Sequence, residues 1–421
     1  RSLELTTLMK LIKSWRKKGS VPMTTTNSLQ YKDIKKCYKA RSKREKIVSQ
    51  SSSGGVFYEV AKNILSEGGA VFGVAFQENG TVQFEKAETE TEAVDLMGSK
   101  YIQAKANQVY SSVKKHLLEG HKVLFCGTPC QCNALKSFLN KKEYQNLFTV
   151  DFICHGVPSE GVWEKYLEWI AQGRKVSSIS FRDKTISWGD YGTRILFENG
   201  TEYFQKHQDD SYMKLFLANR ILRPSCHRCS AKGNKRCSDL TLGDYWGIKD
   251  EDAKLGCSVV MVNTEKGATL LNKADKRIEL AEIAYDDAVR NNSNYFQSCG
   301  IPFNRSKVFA AIVECPEKVF AEPQKYTETS FTEKVIRKCI RIWRRLTKTE
   351  TKETYLKFNE IQKTVFEARA KCCGCGACEN ACPVHAITMK LDEEGFRYPV
   401  VDNRVCIHCG VCEQVCLNRF M

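Results

Sequence analysis

Short apolar runs alternate with amphipathic segments between residues 56 and 320, and this alternation is the main structural signal of the chain. The runs Ala70–Phe76, Val123–Cys126 and Phe148–Ile153 have the length and composition of buried strands. Apolar residues at helical spacing predict a helix over Val56–Leu65, and further helices after the second and third of these strands. Strands that alternate with helices predict an α/β (or α+β) module with a largely covered sheet.

In the second half of this module the predicted strands follow one another more closely. They are Ser178–Phe181, Arg194–Phe197, Glu202–Gln205 and Val259–Val262. The segment Glu198–Gly200 contains Asn-Gly, which is a hairpin signal, so it predicts a turn between two of these strands. A last helix is predicted from Thr264.

Changes in composition divide the chain into four segments. We predict a basic arm over residues 1–46, the α/β module over 47–325, a basic amphipathic helix with a linker over 326–369, and a small Cys-rich domain over 370–421. The apolar face of the predicted helix consists of Phe331, Val335, Cys339, Ile342 and Leu346. Such a helix either makes peripheral contact with an anionic membrane or docks on its own domain, and we favour docking.

Composition narrows the classes of protein without identifying a function. The 421 residues carry 65 Lys and Arg against 49 Asp and Glu, a net charge of +16. Such a charge attracts an acidic protein, an anionic cofactor, a membrane surface or nucleic acid, but no nucleic-acid recognition motif stands out. No apolar run approaches the roughly 18 residues of a membrane span. The N-terminal segment lacks a signal-peptide pattern, so we expect a cytoplasmic protein.

Eight of the 21 cysteines fall in two runs with the spacing C-x-x-C-x-x-C-x-x-x-C. The first run is Cys372, Cys375, Cys378 and Cys382, and the second is Cys406, Cys409, Cys412 and Cys416. This spacing binds cubane [4Fe-4S] clusters, and in the bacterial two-cluster arrangement the fourth Cys of each run ligates the other run's cluster. We therefore assign Cys416 to the cluster of the first run and Cys382 to the cluster of the second.

Structural zinc is the alternative for these runs, because zinc sites with four Cys ligands also use C-x-x-C pairs. Zinc leaves the third and fourth Cys of each run without a role, so the spacing favours two [4Fe-4S] clusters. Thiolate clusters indicate a reducing cytoplasm, and their lability towards oxygen suggests an anaerobic host. The Cys-rich domain is therefore predicted to move electrons.

Other cysteines lie close to predicted strand ends of the α/β module. Cys226 and Cys229 form a lone C-x-x-C, which is equally compatible with zinc, with redox chemistry or with no function. Cys130 and Cys154 each follow a predicted strand, where α/β sheets place their ligand-binding loops. These four cysteines could converge on one centre, but the residues alone leave this open.

Six short motifs occur in a fixed order along the chain. They are Ser51–Phe57, Gly98–Tyr101, Gly127–Gln131, Cys154–Gly156, Cys226–Cys229 and Leu242–Gly247. Together they resemble the coenzyme F420 hydrogenase/dehydrogenase beta-subunit family, over residues 33–320 and again over the ferredoxin-like residues 371–416. In the family pattern the ferredoxin-like segment comes first, whereas here it comes last. Because domain termini are often close together, a permuted order can preserve the contact between the two parts.

The resemblance implies an iron–sulfur flavoprotein. It implies a third [4Fe-4S] cluster held by Cys130, Cys154, Cys226 and Cys229. It also implies FAD bound by Ser52, Ser53, Gly54, Gly55, Gly98, Ser99, Lys100 and Thr128. A Gly-rich turn that opens a helix presents N–H groups to a pyrophosphate, and Lys100 adds a cation. The same Ser-Gly-Gly sequence also suits an ordinary helix N-cap.

The function that the resemblance implies is an FAD- and iron–sulfur-dependent oxidoreductase. Electrons from a ferredoxin-type donor pass through the clusters to FAD and on to a small-molecule acceptor or coenzyme F420. One alternative is an electron-transfer beta subunit that serves a hydrogenase or dehydrogenase partner subunit and has no substrate of its own. Another is a basic nucleic-acid-binding protein with structural clusters.

Several residues near these sites receive a weaker assignment. His155 is a candidate proton donor because imidazole titrates near neutral pH, although a structural role explains it equally well. Asp244 and Trp246 are candidates to line the flavin cavity. Cys373, the extra residue of the first run, and Cys237 are given no ligand role. The remaining predicted core thiols are Cys126, Cys132 and Cys257.

Overall fold

The computed structural model describes residues 36–248, 252–302, 304–328 and 369–417, and its centre is an eight-stranded sheet. The strands of the described residues are β1 (Lys36–Ser42), β2 (Ala70–Phe76), β3 (Val82–Ala87), β4 (Val123–Gly127), β5 (Leu147–Phe152), β6 (Val176–Asp183), β7 (Gly192–Phe197), β8 (Glu202–Lys206), β9 (Leu240–Asp244), β10 (Ser258–Val262), β11 (Ile278–Ile283), β12 (Ile387–Leu391) and β13 (Arg397–Val401). The central sheet has the order β11-β1-β10-β9-β5-β4-β2-β3. Strands β9, β5, β4 and β2 are parallel, and the outer pairs are antiparallel. The carboxyl ends of the four parallel strands therefore share one edge of the sheet.

Helices cover both faces of this sheet. The helices of the described residues are α1 (Glu45–Gln50), α2 (Val56–Ser66), α3 (Glu90–Asp95), α4 (Val109–Leu118), α5 (Pro129–Phe138), α6 (Glu160–Ala171), α7 (Ser211–Leu217), α8 (Asp252–Leu255), α9 (Glu265–Asn272), α10 (Tyr285–Val289), α11 (Arg305–Glu314), α12 (Pro316–Ala321), α13 (Gln324–Thr327), α14 (Ala377–Ala381) and α15 (Val411–Gln414). Phe125 packs with α4, α5 and α6, whereas its neighbour Leu124 packs with α2 and α9. Successive residues of a strand thus pack against helices on opposite faces of the sheet, because their side chains alternate between the two faces. The predicted α/β class is confirmed.

Local sequence explains where the site-bearing helices begin. Thr128 precedes α5 and closes a reciprocal capping box with Gln131, while Pro129 occupies the first helical position. The Ser159 hydroxyl accepts from the amide of Val162 and caps α6. These caps fix the residues that follow β4 and β5 relative to the sheet.

Two smaller sheets accompany the central one. Strands β6, β7 and β8 form an antiparallel sheet whose second hairpin turns at residues 198–201, as the Asn-Gly signal predicts. Strands β12 and β13 form the hairpin of the ferredoxin-like domain, which also contains α14 and α15.

Strand β1 was not predicted as a strand. Its residues fall in the segment assigned to the basic arm, yet β1 lies between β10 and β11 inside the central sheet. Residues 1–35 and the predicted amphipathic helix from Phe331 to Leu346 lie outside the described residues, so those predictions stay untested. Within the part of the chain that the structure describes, no helix is long and apolar enough to cross a membrane.

The ferredoxin-like domain packs directly on the α/β module. The amide of Gly161 in α6 donates to the carbonyl of Gly395 at 3.1 Å, and a Cβ built on Gly161 would lie 2.8 Å from the Cα of Gly395. The Asn380 Oδ1 accepts from the Tyr110 amide at 3.2 Å. This close backbone approach holds the cysteine runs at a fixed position against the module.

Candidate redox site

The first cysteine run faces the α/β module. The Tyr110 hydroxyl donates to the Cys375 carbonyl at 2.9 Å, and Arg223 Nε donates to the Cys372 carbonyl at 3.0 Å. Burial, together with the nearby charges of Cys372 and Cys416, raises the pKa of the Cys378 thiol to about 12. Cys416 therefore lies within electrostatic reach of the first run, as the crossed assignment requires.

Two cysteines of the second run lie beside Cys382. This side chain packs in a small apolar cluster with Cys406 and Cys412. The Ala386 amide donates to Cys382 Sγ at 3.2 Å, and the Gly374 amide donates to Cys372 Sγ at 3.4 Å. Amide hydrogen bonds to sulfur suit thiolates that ligate a cluster. The ligand roles themselves stay predictions.

The four cysteines predicted to hold a third cluster come together at the carboxyl edge of the sheet. Cys130 is in the first turn of α5, which follows β4, and Cys154 follows β5. Strands β4 and β5 are parallel neighbours in the sheet. Cys226 lies in the 3₁₀ turn Pro224–Arg228, and Cys229 follows it directly. Cys226 is within electrostatic reach of Cys154, Cys229 and Cys130.

Backbone pairing joins the loops that carry these cysteines. Pro158 and Leu222 form an isolated β-bridge, and the Arg223 amide donates to the Val157 carbonyl at 2.9 Å. The Val157 amide donates in turn to Cys226 Sγ at 3.3 Å. The loop after β5 and the C-x-x-C turn are therefore one local unit.

The donor set fits an anionic iron–sulfur group. The four thiols are free, and burial raises the pKa of Cys154 to about 12. Lys232 and Arg236 oppose that shift, and Arg236 Nη2 is buried without a hydrogen-bond partner among the described residues. These cations favour negative charge on the sulfurs.

Among the described residues, no group of three or more His, Cys, Asp or Glu side chains is arranged around one metal ion. In a cubane each thiolate binds a different iron, so its ligands do not share a single ion. The arrangement of the four cysteines is therefore judged by their common location and burial.

Two further cysteines lie beside this site and escaped the sequence prediction as participants. Cys299 is buried, and its Sγ donates to the His155 carbonyl at 2.7 Å. Cys373 contacts Cys130 through its thiol on one side and Cys375 on the other. The contact with Cys130 lowers the pKa of Cys373, but the contact with Cys375, burial and neighbouring thiolates raise it by more. The doubled Cys of the first run was the only sequence signal for Cys373.

His155 lies next to Cys154 and packs edge-on against Phe216, with ring centroids 4.9 Å apart. Its Nδ1 is 3.0 Å from the Asn294 amide nitrogen. Burial lowers the pKa of His155, with Asn219 opposing the shift. Its Nε2 is buried without a hydrogen-bond partner among the described residues, and its role as a proton donor stays a prediction.

A cavity of about 990 Å³ opens at the end of β2, the strand beside β4. Its wall includes Ser52, Gly98, Ser99 and Lys100, four of the residues predicted to bind FAD. The hydroxyls of Ser52 and Ser99 lie 2.7 Å apart, so the two predicted turns meet. A cavity of this size accommodates a large cofactor.

The cavity wall also carries cations that the sequence reasoning missed. Burial lowers the pKa of Lys184 and of Lys100 to about 7. Arg182 is paired with Asp244 at 3.3 Å, but its Nε is buried without a hydrogen-bond partner among the described residues. A bound anion would restore the charge on both lysines and give Arg182 Nε an acceptor, so the wall fits the phosphates of FAD.

Other predicted flavin residues lie behind the wall. The Ser53 hydroxyl donates to the Cys257 carbonyl at 2.6 Å, and the Gly54 amide donates to Ser258 Oγ at 3.0 Å. Gly55 adopts a left-handed φ of 81° as the N-cap of α2. Thr128 Oγ1 lies 3.1 Å from Cys130 Sγ, beside the cysteine site.

Asp244 acts through Arg182. The Arg182 guanidinium lies 5.3 Å from the Trp246 ring centroid, and that ring stacks on Trp188 at 4.6 Å. Asp244 and Trp246 therefore hold the position of a wall residue.

Rings connect the neighbourhood of the cysteine site to the cavity. Phe216, which contacts His155, lies 4.9 Å from Tyr101 between ring centroids, and Tyr101 follows the wall residue Lys100. Cys154 follows β5, Cys130 follows β4 and the cavity opens at the end of β2, and these three strands are consecutive in the sheet. Neighbouring strands lie ~4.8 Å apart, so both sites lie at the same edge of the sheet.

Charged pairs hold the ferredoxin-like domain in register with these sites. Arg305 donates two hydrogen bonds of 2.8 Å to Glu394, and Arg397 donates hydrogen bonds of 2.6 Å and 2.9 Å to Glu160. Arg223 is almost fully buried between the two parts. Bidentate pairs of this kind fix orientation as well as distance.

Two family models and a solved structure match parts of this chain. Residues 120–287 match the family model that describes the C-terminal part of the coenzyme F420 hydrogenase/dehydrogenase beta subunit, and residues 371–419 match the 4Fe-4S dicluster domain. The predicted resemblance is confirmed. No curated protein matches the chain. A chain of the F420-reducing [NiFe] hydrogenase complex from Methanosarcina barkeri matches with 18% identity, over 68% of this chain and 94% of that chain, with a TM-score of 0.45.

Proposed function

Because this chain contains a domain of the coenzyme F420 hydrogenase/dehydrogenase beta-subunit family, followed by a 4Fe-4S dicluster domain, we propose that it is an iron–sulfur flavoprotein oxidoreductase. It takes electrons from a ferredoxin-type donor and delivers them to a small-molecule acceptor, for which coenzyme F420 is the first candidate. The family description supports that acceptor. Bound [4Fe-4S] clusters would carry single electrons, and bound FAD would collect two of them for release as hydride.

One observation carries the proposal. Cys130 of the α/β module and Cys373 of the ferredoxin-like domain lie within electrostatic reach of each other, and the Tyr110 hydroxyl of the module donates to the Cys375 carbonyl at 2.9 Å, so the two sets of cysteines meet at the domain interface. Cys130, Cys154, Cys226 and Cys229 would hold the third cluster at that point. The docked first run supports an inner position for its cluster, next to the third.

The residues of the cavity wall support the proposal that the chain binds FAD. Ser52 and Ser99 bring two turns together, and Lys100, Arg182 and Lys184 supply cationic side chains beside them. These residues would bind the phosphates of FAD. The adjacent strands β2 and β4 support a short separation between the cavity and the cysteine site.

The direct test uses the chain alone, purified without oxygen and supplied with FAD, reduced ferredoxin and coenzyme F420. We expect ferredoxin-dependent loss of the deazaflavin absorbance. The Lys184→Met variant should lose flavin affinity while keeping its iron content, because Lys184 lines the cavity and its ammonium bonds the carbonyls of Val48, Ser53 and Leu255, none of which belongs to a proposed cluster ligand. A chain that binds FAD and accepts electrons from ferredoxin, but reduces neither coenzyme F420 nor another small acceptor, contradicts the enzymatic proposal.

One observation favours a second function, that of an electron-transfer subunit. In the second run, Cys409 and Cys416 are exposed, and the neighbouring Ile407 and Val405 are 60% and 46% exposed. An apolar surface around exposed cluster ligands suits a partner subunit. Small-acceptor reduction that appears only when a hydrogenase or dehydrogenase subunit is added would favour this function.

A further inference from the structure

The ammonium of Lys232 joins the loop after β5 to a second segment, residues 294–299. Its Nζ donates to the Cys154 carbonyl at 2.6 Å and to the Asn294 carbonyl at 2.7 Å. We propose that Lys232 fixes a positive charge beside Cys154 and thereby raises the reduction potential of the cluster that this cysteine would ligate. This inference rests on the proposed function, because it takes Cys154 as a ligand of the third cluster.

The segment that accepts the second bond is itself anchored. Its Tyr295 is buried in a core cluster together with residues of β10. Its Ser298 hydroxyl accepts from the Cys229 amide at 2.9 Å, so the same segment also contacts the C-x-x-C turn. The ammonium is therefore held between two backbone segments whose positions the fold sets.

The charge lies close to the sulfur of Cys154. Four covalent bonds separate the carbonyl oxygen of a cysteine from its own Sγ, a span of at most about 5 Å. Because the hydrogen bond to that carbonyl is 2.6 Å long, Lys232 Nζ lies within about 8 Å of Cys154 Sγ.

Neither hydrogen bond neutralises this charge, because both acceptors are uncharged carbonyls. Arg236, the other cation near these cysteines, differs in this respect. Its Nη1 lies 2.9 Å from Asp151 Oδ1, and the two side chains are 4% and 0% exposed. A carboxylate therefore offsets the charge of Arg236, whereas the bonds of Lys232 leave its charge uncompensated.

The physical consequence concerns reduction potential. Reduction adds one negative charge to an iron–sulfur cluster, so a fixed positive charge nearby favours the reduced form. At an effective dielectric constant of about 20, unit charges about 8 Å apart change such an equilibrium by roughly 30-fold. Lys232 is half-buried and water screens part of this interaction, so we expect about tenfold. For a one-electron couple, tenfold corresponds to about 59 mV.

The test compares Lys232→Gln with Lys232→Arg in the full chain, purified without oxygen, by redox titration monitored by electron paramagnetic resonance. Lys232→Gln keeps an N–H donor and removes the charge. The midpoint of one cluster should therefore become more negative by about 59 mV, with the other midpoints and the iron content unchanged. Lys232→Arg keeps the charge and should stay near the wild-type midpoint.

Lys266→Gln is the matched control. The Lys266 ammonium also donates to two backbone carbonyls, those of Tyr144 and Leu147. Leu147 begins β5, whereas Cys154 follows its end, about 23 Å further along the extended chain. Lys266→Gln should therefore leave every midpoint unchanged.

Four results would overturn the inference. Unchanged midpoints in Lys232→Gln would leave the charge without the proposed effect, and equal shifts in the Gln and Arg variants would exclude charge as the cause. A shift of the same size in Lys266→Gln would show that the effect does not depend on proximity to Cys154. Loss of about four irons in Lys232→Gln would make the lysine necessary for assembly of the site instead. A wild-type chain that lacks an iron–sulfur cluster in the α/β module would refute the proposed function itself, so the two failures are distinguishable.

Discussion

The bond between Arg305 and Glu394 gives the sharpest test of how the ferredoxin-like domain docks. The Arg305 side chain is 5% exposed and the Glu394 side chain 17% exposed, and two bonds of 2.8 Å join them across the interface. Glu394→Gln removes the negative charge and leaves a buried guanidinium without its counterion. Breaking one partner of a buried pair costs about 3–5 kcal/mol.

We expect the lower end of that range. Arg305 keeps its bonds to the Leu222 carbonyl, at 3.2 Å from Nε and 2.9 Å from Nη2, so part of its hydrogen bonding survives. A loss of about 3 kcal/mol corresponds to a change of roughly 100-fold in the docking equilibrium.

Hydrogen exchange at the Gly161 amide measures this equilibrium. Gly161 is in the first turn of α6, where amides have no partner within the helix, and its amide donates to Gly395 of the other domain. Its protection should fall about 100-fold in Glu394→Gln. The neighbouring Glu393 is 70% exposed and bonds Arg369 of its own domain, so Glu393→Gln should change protection several-fold at most. Equal protection in the two variants would show that the Arg305–Glu394 pair does not stabilise the docked domain.

Three further predictions follow from the same contacts. Cys226→Ala should remove about four of roughly twelve irons and spare the ferredoxin-like domain; retention of all the iron would show that Cys226 is not a ligand. Gly161→Ala brings a Cβ to 2.8 Å from Gly395 and should weaken docking by about 1–3 kcal/mol, measured as exchange of the Tyr110 amide; unchanged exchange would contradict the close contact. Burial lowers the pKa of Lys100 and Lys184 to about 7, so both are charged below that pH. FAD affinity in calorimetry should therefore be highest below about pH 7 and fall as the pH rises through it, and the Lys100→Met/Lys184→Met double variant should lose this dependence.

Periodicity predicted the elements whose burial is simple. The strand Ala70–Phe76 was predicted with its observed bounds, because both faces are covered and the run is apolar throughout. Strand β1 escaped because charged residues interrupt it, and its Lys36 and Arg41 form ion pairs with Glu282 and Glu279 of β11. Such cross-strand pairs depend on a strand more than two hundred residues away, which local pattern cannot reveal.

In the candidate site, too, some residues could be predicted from the sequence and others could not. Spacing and resemblance predicted the cysteine set and the meeting of Ser52 with Ser99. They did not predict Arg182 and Lys184 in the cavity wall, because β6 approaches that wall only through the tertiary fold. Likewise, the proximity of Cys373 to Cys130 depends on the position of α5 at the domain interface, which the sequence does not show.

The central claim is that thiolate-held clusters extend from the ferredoxin-like domain to a flavin in the α/β module. Iron, acid-labile sulfide and extracted flavin, counted per chain after purification without oxygen, test it most directly. We expect about twelve irons, a matching amount of sulfide, and one FAD. About eight irons and no bound flavin would contradict it, because the α/β module would then hold neither redox group.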